Sequence, residues 1–362
     1  MEIFELMKEN NHEQIAFYTD KSVKLRTILA IHSTALGPAM GGTRIYKYES
    51  IKEALFDLLR LSRAMTYKTA AGGVNFGGGY MVVLEQEGMK KNESLFRAMG
   101  RFIESLKGRF IAGSEIGVNE EFMEYIKMET DYLTGLPAYY GGSGNHAYMC
   151  AYGTFLGLLA AAKHKWGTDD ISGKKIIVQG YGRIGEQLAA FVRDKGAHVT
   201  AADIDLERIK EAAAQGFDTI DVDKIYTETC DILAPCAVGA VINPETAEQF
   251  QCRIIAGSAN NQLLNQEDDI ILKKRNILYT PDFIINAGGV IDVSEEYLGY
   301  RIGYKQERVK RKTENIYDRV LAILKEADEK DISTNEAAIQ YARRRIDSIT
   351  KIKGTFPGKG RM

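Results

Sequence analysis

Residues 175–194 read KIIVQGYGRIGEQLAAFVRD, and the fold turns on how that stretch divides. Lys175 to Gln179 is a short apolar strand, Gly180, Gly182 and Gly185 make a GxGxxG turn, and the remainder carries the apolar spacing of a helix. In such a strand–turn–helix the first glycine permits the tight turn and the second lets the backbone approach a pyrophosphate. The third lets the helix pack close to the strand, with the helix N-terminus facing the anion. Arg183 and Ile184 are enclosed in that turn. A second strand, HVTAADID, reaches Asp203 about twenty residues beyond Gly182, where a carboxylate accepts hydrogen bonds from the adenosine ribose and repels a 2′-phosphate. The stretch therefore predicts a dinucleotide site that prefers NAD to NADP.

Working outward, strands at Asp231–Ala234, Arg253–Ala256 and Ile277–Thr280 extend this unit, and the chain turns helical after Asn286. Ser333 and Glu336 form a capping box that opens a last helix. Towards the N-terminus, Val23 to Ile31 reads as a strand. Ser50 and Glu53 cap a helix carrying Ala54, Leu55, Leu58 and Leu59 inward, and Tyr80 to Leu84 is a further strand. Asn92 caps another helix that Gly108 closes, and Arg109 to Ala112 resumes as a strand. Between the two units PAYYGGSGN, Pro137 to Asn145, breaks all periodicity and is the expected hinge. The fold class is α/β in two domains, 1–136 and 146–330, with a cleft between them. The helix at 333–352 is expected to pack back on the first domain, and Lys351 to Met362 reads as a loose basic tail.

The bulk properties fit. With 362 residues, 45% hydrophobic and 27% charged, the chain has material for two ordinary cores. Its 47 Lys+Arg against 49 Asp+Glu give −2, which is no footprint of a nucleic-acid binder. The longest apolar run, Gly153 to Ala162, is half of the ~20 residues that span a bilayer. MEIFELMKEN has neither basic n-region nor apolar h-region, so no signal peptide is expected. Cys150, Cys230, Cys236 and Cys252 make no CxxC pair and read as free thiols in a reducing cytoplasm. Cys236 reads as a small buried side chain rather than a nucleophile. His12, His32, His164 and His198 show no ligand spacing, so no metal is expected.

Six separated segments resemble the Glu/Leu/Phe/Val dehydrogenase superfamily, and most closely the leucine dehydrogenases: IHSTALGPAMGGTR (31–44), MTYKTAAGG (65–73), VQGYGRIG (178–185), APCAVGA (234–240), IAGSANNQL (255–263) and PDFIINAGGVI (281–291). The resemblance covers nearly the whole chain. It implies an N-terminal substrate-binding and oligomerisation domain, a Rossmann-like NAD domain, and a homo-oligomer, dimer or octamer. It also implies reversible oxidation of an L-amino acid to a 2-oxo acid and ammonia. On this likeness Gly41 and Gly42 form a glycine turn that lets backbone amides approach the substrate carboxylate, and Lys68 pairs with that carboxylate. Thr134 and Val290 keep an apolar side-chain pocket of the leucine type. Cys236, Ala237, Asn261 and Asn286 lie beside the ribose, nicotinamide and substrate, and Gly180, Gly182, Gly185 and Asp203 match the NAD fingerprint.

Three segments depart from the family together. Gly77-Gly78-Gly79 is followed by Tyr80 where relatives carry the catalytic lysine. AGSEIG puts Glu115 at the catalytic aspartate. SGNHA places His146 in the third segment, with Cys150 at a threonine. A neutral phenol donates a hydrogen bond but supplies no positive charge and no base near neutral pH. Losing a positioned acid–base group costs ~10²–10⁴ in rate. Ordinary deamination is therefore expected to be impaired, with Tyr80, Glu115 and His146 as a replacement proton-transfer set acting on an amine, imine or 2-oxo acid in a specialised pathway. The alternatives are a non-catalytic NAD-binding paralogue, acting as sensor or hetero-oligomer partner, and residual branched-chain amino-acid dehydrogenation.

Overall fold

The computed structural model describes residues 2–144, 146–299 and 303–351. The first unit runs α1 (Ile3–Glu9), β1 (Gln14–Asp20), β2 (Leu25–Ser33), β3 (Ala39–Tyr46), α2 (Ile51–Gly72), β4 (Gly77–Leu84), α3 (Glu93–Ser105), β5 (Phe110–Ser114) and α4 (Glu120–Lys127). Its five strands form one mixed sheet in the order β1-β2-β4-β3-β5. β2 runs antiparallel to β1 and β4, while β3 runs parallel to β4 and β5. Side chains alternate across β4: Met81 and Val83 face the cluster under α3, and Tyr80 and Val82 face Leu55, Leu58 and Leu59 of α2.

Two of these strands escape the sequence reading. β1 is hidden by a weak alternation, and Lys24, at φ +56°, turns the chain where the sequence suggests that β2 has already begun. β3 contains Gly41 and Gly42, which the sequence reading assigns to a turn; they are extended residues of a central strand. Pairing on both sides overrides the poor strand propensity of glycine. Glycine is required here by space, since a Cβ on Gly41 would lie 1.7 Å from the Gly79 carbonyl oxygen. The helix after Ser50 also runs further than its amphipathic start suggests. The Ser50 hydroxyl caps the Glu53 amide, and the helix continues through Lys68 to Gly72.

The second unit begins with α5 (Ala147–Trp166), a helix apolar on nearly all sides and packed against its neighbours throughout. It continues β6 (Lys175–Gln179), α6 (Arg183–Asp194), β7 (His198–Ala202), α7 (Leu206–Ala214), β8 (Asp218–Thr219), β9 (Ile232–Pro235), α8 (Pro244–Gln249), β10 (Ile254–Ile255), α9 (Asp269–Lys274), β11 (Leu278–Tyr279), α10 (Asp282–Ile285) and α11 (Gly288–Gly299). The six strands are all parallel, in the order β11-β10-β9-β6-β7-β8. The chain leaves β6 towards β7 on one side and returns to β9 on the other, so the order reverses between β6 and β9. The crevice at the carboxyl ends of those two strands is where an open α/β sheet binds its ligand.

Two long helices close the described chain, α12 (Gln306–Lys330) and α13 (Thr334–Thr350), the second capped by Ser333. α13 lies against α2, where Arg345 donates to the carbonyls of Thr69, Ala70 and Val74. Asn145 of the expected hinge, and all of the basic tail after Lys351, lie outside the described residues. Glu296 of α11 reaches into the segment before Asn145. Its carboxylate accepts from the amides of Gly135, Leu136 and Ser143, each at 3.0 Å, and from the Ser143 hydroxyl at 2.7 Å. Nothing in the local sequence announces that anchor, because its partners are backbone amides some 150 residues away. Among the described residues no helix is long and apolar enough to cross a membrane.

Candidate active site

The glycine turn sits at the crevice between β6 and β9. Gly180 has φ +94°, and a Cβ there would press within 2.8 Å of the Ala237 Cβ on the opposite wall. A Cβ on Gly185 would lie 1.9 Å from the Gly180 carbonyl oxygen, so the helix approaches the turn as closely as a backbone can. Gly182 is the N-cap of α6 and offers no side-chain acceptor, which leaves the first amides of the helix open towards the crevice. Ile184 is partly buried beneath the turn, and the exposed Arg183 pairs with Glu120 of the first unit at 3.1 Å.

Asp203 ends the strand beside this turn. One carboxylate oxygen accepts from the Tyr181 amide at 2.7 Å and the other from the Asp205 amide at 2.9 Å, while Arg208 stands 3.5 Å away. Each oxygen keeps a lone pair for a further donor. Across the crevice the Cys236 amide donates to Gln179 at 2.7 Å, and Ala237 is exposed on the loop beyond it. Burial pushes the Cys236 thiol up to about 12, which leaves it protonated and unreactive at neutral pH.

Lys68, in the last turns of α2, crosses to the second unit. Its ammonium donates to Asn260 Oδ1 at 2.6 Å, and Asn286 Nδ2 donates to the same oxygen at 3.0 Å and to the Ser258 carbonyl at 3.1 Å. The Cys150 thiol lies 3.2 Å from the Ser258 hydroxyl and 3.5 Å from the Asn286 carbonyl. Burial holds the Lys68 ammonium below its ordinary value, against the opposing pull of Cys150, Asp282 and Glu115. A desolvated cation held by a single neutral amide oxygen is a strong site for an anion. The side chain that meets it belongs to Asn260. The sequence reading places Asn261 in the loop beside ribose, nicotinamide and substrate and does not single out its neighbour Asn260, since adjacent asparagines in ANNQ carry no local sign of which one meets Lys68. Asn261 instead adopts a left-handed backbone at φ +52°, and its carbonyl accepts from Ala240. Asn286 Oδ1 is buried without a partner, an acceptor that a carboxamide N–H fits.

Tyr80 and Glu115 are brought together beside Gly42. A Cβ on Gly42 would lie 2.8 Å from both the Tyr80 hydroxyl and Glu115 Cγ. Glu115, just past β5, accepts two hydrogen bonds from Arg44, Nε to Oε2 and Nη2 to Oε1. Arg44 also donates to Asp57 at 2.9 Å, to which the Tyr48 hydroxyl adds a bond of 2.7 Å. Arg44, which closes one of the motifs quoted above, is the member of this network that the sequence reading does not name. Tyr80 is only 4% exposed. Burial and then the Glu115 charge push its phenol well above the ordinary value, against the pull of Arg44, so it is a neutral donor.

His146 stands apart from that pair. It occupies the N-cap of α5, its ring meets Gly289, and the charges bearing on it are Glu120, Glu296, Lys68 and Arg183. Burial lowers its pKa, and Nδ1 is buried without a partner. Among the described residues no hydrogen bond joins His146 to Tyr80 or Glu115; those two share a network with Arg44, and His146 feels the Lys68 charge. Thr134 is fully buried beside Gly113, with its amide on the Ala112 carbonyl at 2.8 Å, and Val290 is buried against Gly72 of α2. Among the described residues no three His, Cys, Asp or Glu side chains cluster as metal ligands would.

Residues 12–132 match the family described as "Glu/Leu/Phe/Val dehydrogenase, dimerisation domain", and residues 141–354 match "Glutamate/Leucine/Phenylalanine/Valine dehydrogenase". The chain is 43% identical over 357 residues to the leucine dehydrogenase of Thermoactinomyces intermedius, covering 98% of this chain and 96% of that one. It is 42% identical over 355 residues to the phenylalanine dehydrogenase of the same organism, covering 97% and 96%. Among solved structures it superposes on L-tryptophan dehydrogenase from Nostoc punctiforme with a TM-score of 0.80 and 38% identity, covering 96% of this chain and 100% of that one.

Proposed function

The chain belongs to the Glu/Leu/Phe/Val dehydrogenase family, and from that premise we propose an NAD-dependent oxidoreductase that exchanges hydride with a carboxylate-bearing amine, imine or 2-oxo acid and in which ordinary deamination is impaired. The observation that supports this reading is the Arg44–Glu115–Tyr80 network, built on the two residues that the sequence resemblance sets against the family's lysine and aspartate. Members of the family use NAD(H), and the open α6 amides, Asp203 and the orphaned Asn286 Oδ1 suit pyrophosphate, ribose and carboxamide respectively. When bound, the nicotinamide donates or accepts the hydride.

The protein's own groups do the rest. Lys68 takes the substrate carboxylate in exchange for part of its bond to Asn260, and Gly42, having no side chain, leaves room for the Tyr80 hydroxyl and Glu115. Thr134 and Val290 line the side-chain pocket. Tyr80, held beside Glu115, keeps its proton and donates a hydrogen bond to a substrate oxygen or to the nitrogen lone pair that hydride addition creates. Arg44 carries one positive charge against the two carboxylates Glu115 and Asp57, so the network favours a cationic substrate centre such as a protonated imine. Attack of water on that imine needs a base, and a raised phenol is a poor one. The dimerisation-domain match supports an oligomer, and the reading takes it to be a homo-oligomer, dimer or octamer. Low residual leucine dehydrogenation is the second reading, favoured by 43% identity to a leucine dehydrogenase along almost the whole chain.

The test is anaerobic NADH consumption between about pH 6 and 9, with 4-methyl-2-oxopentanoate plus ammonium and, separately, with a preformed cyclic imino acid. Turnover of the imine alone supports the proposal. Efficient turnover of the oxo acid with ammonium overturns it in favour of ordinary dehydrogenation, and silence with both alongside tight NADH binding favours a non-catalytic paralogue.

A further inference from the structure

A cavity of about 580 Å³ lies between the two units, on a different face of α2 from Lys68. That volume is in the range of small-molecule sites. Leu55, Phe56 and Leu59 of α2 form its apolar floor, and Leu264 and Phe283 of the second unit face them. Leu6 of α1 and Ile339 of α13 also line it. Arg60 spans the wall, with its guanidinium on the carbonyls of Leu263 and Leu264 at 3.0 and 3.1 Å.

Arg63 lines the same cavity one turn away and makes no hydrogen bond or ion pair with any described residue. Its charge bears on Arg60, His12 and His32 and disfavours protons on all three, so this corner holds a cation without its anion. None of the carboxylates lining the cavity pairs with Arg63, although the Asp282 charge bears on Arg60. Asp282 is engaged by the amides of Gln262 and Phe283, while Glu9 and Glu267 are exposed, as is Lys52.

We propose that this cavity is a second ligand site, taking a small organic carboxylate with a branched or aromatic apolar tail, whose carboxylate pairs with Arg63 while the tail lies on Leu55, Leu59 and Phe283. The apolar walls select the tail, and the partly desolvated guanidinium selects the anion, which it can hold bidentately. Helix α2 and the loop after β10 form two of its walls and also carry Lys68 and Asn260, so an occupant bears on the alignment of the cleft. The site does not depend on the reaction proposed above, and its test needs no turnover.

Calorimetric titration of the full chain with 4-methylpentanoate, which carries no reactive oxo group, tests it. The Lys68→Met variant removes the carboxylate anchor of the cleft and is expected to retain one binding equivalent per chain. Adding Arg63→Gln to that variant is expected to weaken binding at least tenfold, Arg63→Lys to restore it to within threefold, and neutral 4-methylpentanamide to bind at least tenfold more weakly than the acid. Absence of binding to the Lys68→Met chain, indifference to Arg63→Gln, failure of the lysine rescue, or equal binding of the amide each overturns the proposal.

Discussion

Arg44 grips Glu115 through two hydrogen bonds of 2.9 Å, presenting Nε and Nη2 to the two carboxylate oxygens. Both side chains are largely buried, at 15% and 18% exposure. Removing one member of such a pair strands the other charge, and Arg44→Met should cost about 3 kcal/mol. The fall in the urea midpoint measures it, and an unchanged midpoint would mean that the pair is solvated in solution. Arg44→Lys should recover little, because an ammonium cannot fork across Glu115 and still reach Asp57.

The same grip makes a prediction about Tyr80. With Glu115 fixed and the phenol neutral, Tyr80→Phe removes one hydrogen-bond donor and nothing else of similar size. Imine turnover should fall by about 100-fold in kcat with KM nearly unchanged, since the donor acts in the transition state. Steady-state kinetics with the cyclic imino acid measure the split. Full activity in the phenylalanine variant would reduce Tyr80 to a packing residue against Leu55 and Leu58.

Lys68 should behave in the opposite way. If it binds the substrate carboxylate, Lys68→Met raises KM by about 100-fold. NADH affinity should stay unchanged, because the glycine turn belongs to the other unit. Fluorescence titration of NADH beside the kinetics separates the two effects. Loss of NADH binding in that variant would mean that the Lys68–Asn260 bond holds the crevice in shape.

How much of this was legible in the sequence depends on the range of each interaction. The β6 turn and its glycines are a local pattern, and so are the caps at Ser50, Asn92 and Ser333, whose side chains bond amides three residues on. β3 was not legible, because AMGGTRIY becomes a strand only through partners on both sides. Tyr80 and Glu115 could be named as departures from a family, yet their tie through Arg44 spans 71 residues and leaves no spacing to read. Asn260 shows the finest limit. Which of two adjacent asparagines faces Lys68 is decided by a left-handed turn at Asn261, and composition is blind to it.

Glu296 predicts a local rather than a global effect. Its carboxylate holds three amides and a hydroxyl of the segment 135–143, which joins the two units. Hydrogen bonds to a charged group contribute about 1.5–3 kcal/mol each when made well. Glu296→Gln keeps the shape but loses the charge and one acceptor oxygen. Amide hydrogen exchange in 135–143 should accelerate by about tenfold or more, with the β6–β9 core unchanged. Uniform acceleration across the chain would instead show that the anchor supports global stability.

The two buried histidines set an acid limit. His12 bonds the Ser62 hydroxyl at 2.7 Å and His32 the Thr66 hydroxyl at 2.8 Å, with their rings edge to face at 4.9 Å. Burial, reinforced by Arg63, lowers His12 from 6.5 to about 4. Burial, then the charge of His12, and then Arg63 and Arg343 lower His32 to about 3. Both are neutral in the folded and the unfolded chain above pH 6.5, so their effect is nil there. As pH falls from 6.5 towards 4 the unfolded chain takes up the protons first, and stability is lost. A displacement from 6.5 to about 4 corresponds to about 3 kcal/mol for His12 alone. His32 adds to this, though the two are coupled through mutual repulsion. Denaturation curves at pH 7 and pH 4.5 should therefore differ less in a His12→Gln, His32→Gln double variant than in the parent chain. Equal losses in both would assign the acid sensitivity to carboxylates such as Glu326, which its bonds to Arg344 and Lys330 hold at about 2.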